Sequence, residues 1–242
     1  MSYQIHTYDS PESTARAVAN LIASMAVEKA GQNQFLHIAV SGGSTPKLLF
    51  TLLAEEYEHA VLWKNVKLFW VDERCVPPVH AESNYGMTYD AMLRKPLIPA
   101  ENVFRMKGED FPADEAARYE KVLREQLPAQ NAYPVFDLIL LGMGDDGHTA
   151  SIFPNQMDLL DVEPAVDVAT HPQSGQKRVT LTGNTIKNAQ KVAFLITGKS
   201  KAEVLKQIIS RQEVAARYPA SHVWAVDGTA LFYLDNEAAA LL

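Results

Sequence analysis

The sequence predicts an α/β protein, a doubly wound, mostly parallel sheet with helices on both faces. Three observations predict it. Short apolar runs recur at 35–40, 66–71, 137–141, 192–196 and 223–226. Each is nearly continuous rather than alternating, which is how strands read when both faces are covered. Helical patterns separate these runs, and such alternation is the mark of parallel strand–helix–strand units. Clusters of glycine and polar residues follow several runs, where open α/β sheets bind their ligands.

In chain order, residues 3–8 read as a further strand. Ser10 caps and Pro11 opens the first helix, which runs to about residue 29 and stops at Gly31. Thr45 and Pro46 begin a second helix, ending near Glu58. A third covers about 113–127 and a fourth about 201–209. Residues 178–182 are another candidate strand, and 161–176 form a loop-rich excursion with room for one edge strand. Prolines gather in connections (Pro77, Pro78, Pro96, Pro99, Pro128, Pro134 and Pro172). No repeat, low-complexity tract or composition shift divides the chain, so residues 1–242 are expected to form a single α/β domain.

The bulk numbers narrow the function. With 47% apolar residues in 242, a sizeable core can be buried, and 21% charged residues argue against disorder. A net charge of -7 disfavours nucleic acid and anionic membrane as partners. It leaves room for a small anionic substrate, because a few focused cations override the average locally. One cysteine, Cys75, rules out an internal disulfide framework and a Cys-rich zinc site. The histidines show no His-Glu-x-x-His spacing, so no metal is expected. The first residues lack a basic segment followed by an apolar stretch, and no apolar run approaches the roughly 18 residues needed to span a bilayer. A cytoplasmic protein, monomeric or a small homo-oligomer, is the expectation.

Four stretches carry the chemistry. Ser41-Gly42-Gly43-Ser44-Thr45-Pro46 follows the second strand. Paired glycines let a ligand approach the backbone, and amides at a helix start favour an anion, with Thr45 available as the cap. An ordinary strand-to-helix turn explains the same residues. Val71-Asp72-Glu73-Arg74, with His80 and Ser83-Asn84 beyond it, puts two carboxylates and a guanidinium at a strand end. These groups are costly to bury unpaired and so face a cleft, where Arg74 clamps a phosphate. The alternative is a structural ion pair of Arg74 with an acid, plus Asn84 capping a helix.

Gly142-Met143-Gly144-Asp145-Asp146-Gly147-His148-Thr149 is the most informative stretch. Three glycines bracket two acids and a histidine, the natural general base near neutral pH. Asp146 lies two residues before His148 and orients the ring or contacts substrate. A tight turn with a surface histidine is the competing reading. Arg178, and Lys201 near a helix start, complete the set. A lysine there opposes the helix dipole unless it faces an anion, whereas Lys199 reads as a solvated surface residue. Cys75 is either a nucleophile beside Arg74 or, as is usual for a lone cysteine, a small packing residue. His6, His37, His59, His171 and His222 read as structural or surface residues.

Taken together, these stretches resemble the 6-phosphogluconolactonase family. The likeness extends through Ala150-Ser151-Ile152-Phe153-Pro154, Arg178-Val179-Thr180-Leu181-Thr182, Gly198 with Lys201-Ala202, and Trp224-Ala225-Val226-Asp227. The resemblance implies the fold shared with ribose-5-phosphate isomerase, CoA transferases and glucosamine-6-phosphate deaminase. It implies hydrolysis of 6-phospho-D-glucono-1,5-lactone to 6-phosphogluconate, with no cofactor. His148, Asp146 and Asp72 would be catalytic, and Gly42, Gly43, Ser44, Thr45, Arg74, Arg178 and Lys201 would bind the phosphate. The deaminases, or another sugar-phosphate isomerase of this fold, are the nearest alternative. Their Ile-Ala-Phe-Asn-Glu-Pro stretch is replaced here by Ser151-Ile152-Phe153-Pro154, without the glutamate. A sugar-phosphate-sensing module is the alternative of another class. It would need no base, and neither a basic recognition helix nor a basic patch accompanies it.

Overall fold

A computed structural model describes residues 2–242. In chain order it contains β1 (Ser2–Tyr8), α1 (Pro11–Gly31), β2 (Leu36–Val40), α2 (Ser44–Glu56), β3 (Val66–Trp70), β4 (Asp72–Arg74) and α3 (Asn84–Thr88). There follow β5 (Val103–Phe104), α4 (Pro112–Gln126), β6 (Ala129–Gln130), β7 (Tyr133–Pro134), β8 (Leu138–Leu141), β9 (Val166–Thr170) and β10 (Lys177–Leu181). The chain closes with α5 (Gly183–Lys187), β11 (Val192–Ile196), α6 (Ala202–Ile209) and β12 (Thr229–Asp235).

Seven strands form the main sheet in the order β1-β12-β11-β8-β2-β3-β5. Every pairing in it is parallel. Alternate residues of its strands enter two cores, which explains the continuous apolar runs. Ile38, Leu68, Leu140 and Leu195 pack with Val18, Ile22, Leu49 and Leu53 of α1 and α2. Ala39, Phe69, Ile139 and Phe194 pack on the other side with Tyr119 and Leu123 of α4 and Leu205 and Ile208 of α6. Helices thus cover both faces, as the sequence predicts. α1 begins as read: Ser10 and Ser13 form a capping box, and Pro11 takes the first turn. No helix among the described residues is long and apolar enough to cross a membrane.

The structure departs from expectation in two respects. The antiparallel strands do not extend the main sheet; they make a separate three-stranded sheet, β4-β10-β9, in which β9 is the edge strand expected within 161–176. And residues 223–226 are not a strand. The strand is the later β12, seated between β1 and β11. Val223 and Ala225 are buried but Val226 is 41% exposed, so the segment has one apolar side where a central strand needs two. It ends in the turn of Asp227 and Gly228, with φ of +80° at Gly228, that delivers the chain into β12.

Since Phe194 is fully buried in the middle of the sheet, Phe194→Ala should lower the unfolding free energy by about 3–5 kcal/mol. Urea denaturation followed by circular dichroism checks this.

Candidate active site

Because the main strands are parallel, the loops after β2, β3, β8 and β11 all open on one side. There they enclose a cleft of about 270 Å³, near the lower end of the range for small-molecule sites. Gly42, Gly43, Ser44, Thr45, Asp72, Arg74, His148, Arg178 and Lys201 all line it, so all but one of the residues expected to be catalytic or to bind the phosphate meet in one place. Asp146, the exception, stands directly behind His148.

The loop after β8 is built around the pair His148 and Asp146. The Asp146 carboxylate lies 2.6 Å from His148 Nδ1 and also accepts the His148 backbone amide at 3.1 Å. Burial alone would push the Asp146 carboxyl up, but the hydrogen bond and positive charge from His148 outweigh it and hold its pKa down at about 2. An ionised carboxylate only accepts, so Nδ1 carries the proton and Nε2 is left to work in the cleft. Gly144 makes the pair possible. A Cβ there would lie 2.1 Å from His148 Nδ1 and 2.6 Å from Asp146 Oδ1. Gly147 has φ of +77°, and its missing side chain makes room for the ring of Tyr218.

The glycine turn after β2 leads into α2 through Gly43, whose φ of +116° excludes most other residues. Gly43 itself is the cap position, and no side chain among the described residues caps the helix. The expected role of Thr45 is therefore corrected: its hydroxyl bonds to that of Thr197, 2.8 Å away, and ties the turn to the end of β11. The first amides of α2 have no partner within the helix and remain available to an anion.

The acids after β3 divide. Asp72 lines the cleft, and its carboxylate accepts from the buried Ser151 hydroxyl at 2.6 Å and from Asn84 Nδ2 at 3.3 Å. Glu73 does not face the cleft, contrary to expectation. It is 2% exposed and accepts from the amides of Arg74, Asn84 and Tyr85 and from the Ser83 hydroxyl, which ties it to the start of α3. Asn84 is thus not the cap; Ser83 is. Burial raises the Glu73 pKa despite these four donors.

Arg74 makes no ion pair among the described residues; its Nη1 donates to the Glu82 carbonyl at 2.5 Å. Arg178 faces Arg74 across the β4–β10 register and reaches the Ser151 hydroxyl at 3.5 Å. The Nε atoms of Arg74 and Arg178 are buried without a partner among the described residues. Lys201 does face an anion, and that anion is internal: its Nζ is bound to the Asp145 carboxylate, whose pKa it lowers. His80 stays outside the cleft, its Nδ1 accepting the Glu82 amide. Cys75 is half-buried, and burial, then Glu73 and Glu115, push its thiol up to about 11, so it is a packing residue.

Sequence reasoning assigned no role to Ser151, offered Asn84 only as a helix cap, and took Gly144 only as one of three bracketing glycines. Ser151 and Asn84 belong to the family-like stretches, but nothing in their spacing shows that both reach Asp72, 79 and 12 positions away.

A cleft lined by an imidazole, two guanidinium groups and an open helix start marks an α/β protein with a site suited to a small anionic ligand. Residues 9–232 match the family described as glucosamine-6-phosphate isomerases/6-phosphogluconolactonase, and the chain belongs to that family. It is 43% identical to the 6-phosphogluconolactonase of Haemophilus influenzae over 230 residues, 95% of this chain and 97% of that one. It is 43% identical to the 6-phosphogluconolactonase of Treponema pallidum over 212 residues, 88% and 87% of the two chains. Among solved structures, the 6-phosphogluconolactonase of Trypanosoma cruzi superposes with a TM-score of 0.86 at 34% identity, covering 100% of this chain and 97% of that one.

Gly144→Ala should lower kcat by about 10²-fold, because the new methyl displaces the imidazole, while the circular dichroism spectrum is retained. Cys75 should resist iodoacetamide at pH 8, and Cys75→Ala should keep kcat within about twofold of wild type. Mass spectrometry and steady-state rates read these outcomes.

Proposed function

We propose that this chain hydrolyses 6-phospho-D-glucono-1,5-lactone to 6-phosphogluconate, the lactonase step of the oxidative pentose phosphate pathway. The observation that carries the reading is the 2.6 Å contact between His148 Nδ1 and Asp146, which frees Nε2 toward a cleft also lined by Arg74, Arg178 and Lys201. Residues 1–242 act as one unit in this reading, supported by the pairing of β1 with β12. A cytoplasmic setting accords with a single, unpaired cysteine. The working form is a monomer or small homo-oligomer, with no nucleic acid or membrane partner.

The phosphate docks on the amides of Gly42, Gly43, Ser44 and Thr45, with Arg74, Arg178 and Lys201 around it. Lys201 exchanges part of its contact with Asp145 for the ligand. Anchoring the distal phosphate orients C1 near His148. Nε2 takes a proton from water as the water oxygen attacks C1. Asp146 steadies the imidazolium so formed. The tetrahedral intermediate then collapses: the bond from C1 to the ring oxygen breaks, and His148 returns the proton to that oxygen. Asp72 retains free lone pairs beyond those used by Ser151 and Asn84, and accepts a substrate hydroxyl. A lactone carbonyl is already reactive, so base catalysis worth about 10²–10⁴-fold suffices, and neither metal nor cofactor is needed. A deaminase would lack its expected glutamate, since 151–154 hold none. A sensing module would have no use for the oriented imidazole.

The test is proton release from freshly made 6-phosphogluconolactone, corrected for spontaneous hydrolysis. His148→Ala should lower kcat by about 10²–10⁴-fold with little change in KM, and Arg178→Ala should mainly raise KM. Near-wild-type kcat in the first variant rules out His148 as the base. Ammonia release from glucosamine 6-phosphate would point to the deaminase instead.

A further inference from the structure

His171 follows β9 and opens the hairpin that returns as β10. Its Nδ1 accepts from the amides of Gln173 and Ser174, at 3.4 and 3.2 Å, and lies 3.1 Å from the Ser174 hydroxyl. Amides only donate, so Nδ1 carries a lone pair and the ring proton sits on Nε2. Nε2 has no partner among the described residues.

The ring stands edge-on to Phe153, with centroids 5.2 Å apart and planes at 82°. Phe153 is shared. His148 packs on it at 4.9 Å, and the Arg178 guanidinium carbon lies 5.5 Å from its centroid. One buried aromatic ring therefore backs the imidazole of the base, a cation of the cleft and a second imidazole. The hairpin is also fastened to the wall that carries Arg74: the Gln176 amide donates to the Glu82 carboxylate at 3.0 Å, and the Glu82 carbonyl holds Arg74. Burial, then the positive fields of Arg178 and His148, push the His171 pKa below the ordinary histidine value. The ring is consequently a neutral donor with one fixed tautomer.

We infer that His171 is a specificity-determining residue, whose Nε2–H donates to a phosphate oxygen of the substrate beside Arg178. The inference rests on the reading of this cleft as a site for a phosphorylated lactone. His171 adjoins the cleft rather than lining it, and the positive fields of Arg178 and Arg74 reach its ring, so its unpaired N–H favours an anion held at the cleft edge while His148 serves the reacting carbon. The neutral imidazole adds direction to a clamp that otherwise acts through charge.

The two polar ends of the ring can be replaced separately. Asparagine carries an acceptor near the place of Nδ1, and glutamine carries an N–H donor near the place of Nε2. His171→Asn keeps the hairpin acceptor and loses the ligand donor; His171→Gln does the reverse. Calorimetry gives Kd for inorganic phosphate, and steady-state assays compare 6-phosphogluconolactone with unphosphorylated glucono-1,5-lactone. For His171→Asn we expect phosphate Kd and the KM of the phosphorylated lactone to rise about tenfold, with kcat within about twofold. His171→Gln should bind phosphate like wild type, and the unphosphorylated lactone should not distinguish the variants. Wild-type binding by His171→Asn overturns the inference, as does equal loss in both variants, which would mark packing on Phe153. A fall in kcat with phosphate binding unchanged also overturns it. Phosphate binding requires no turnover, so absent lactonase activity with an intact His171 effect would sink the proposed reaction and leave this inference standing.

Discussion

Every strand of the main sheet runs the same way, and the site depends on that constraint. Parallel strands need crossover connections, so helices cover both faces and four strand ends open on a common side. The turn after β2 brings open amides, the segment after β3 brings Asp72, the loop after β8 brings His148, and the turn after β11 brings Lys201. The small antiparallel sheet then stands Arg74 and Arg178 opposite one another beside these ends. An antiparallel main sheet would send alternate strand ends to opposite sides and divide the constellation.

Within that frame, charge is handled locally. The chain has a net charge of -7, yet the cleft concentrates cations. Apart from Asp72, the acids that would oppose an anion there are committed elsewhere. Glu73 is consumed by the start of α3, Asp146 by His148, and Asp145 by Lys201. The partnerless Nε atoms of Arg74 and Arg178 mark the cleft wall as a place where hydrogen-bonding capacity is left unspent. One strained backbone position also lies there. Ala150, a non-glycine residue with φ of +51°, lies between His148 and Ser151 and bends the chain so that one side chain faces the cleft while the other reaches Asp72.

Much of this was legible in the residue order. The continuous apolar runs marked β2, β3, β8 and β11, since burial on both faces leaves no alternation to blur the signal. Ser10 and Pro11 marked the start of α1 because capping is a local interaction. Residues 223–226 misled for the complementary reason: their apolar side is buried by chain distant in sequence, and their exposed side shows only once the fold is assembled. Glu73 and Thr45 were misread in the same way. Their partners, the start of α3 and Thr197, come near only in three dimensions.

The sequence by itself determined the fold class, the family likeness and the chemical types gathered at the strand ends, because these follow from periodicity, turn residues and local motifs. Tertiary structure decided which carboxylate touches the imidazole, which acid is withdrawn from the cleft, and that Ser151, Asn84 and Gly144 hold the arrangement in place. The reason is physical. A hydrogen bond or a forbidden Cβ is settled within a few tenths of an ångström, between groups as far apart in the chain as Asp72 and Ser151, and sequence spacing carries no information on that scale.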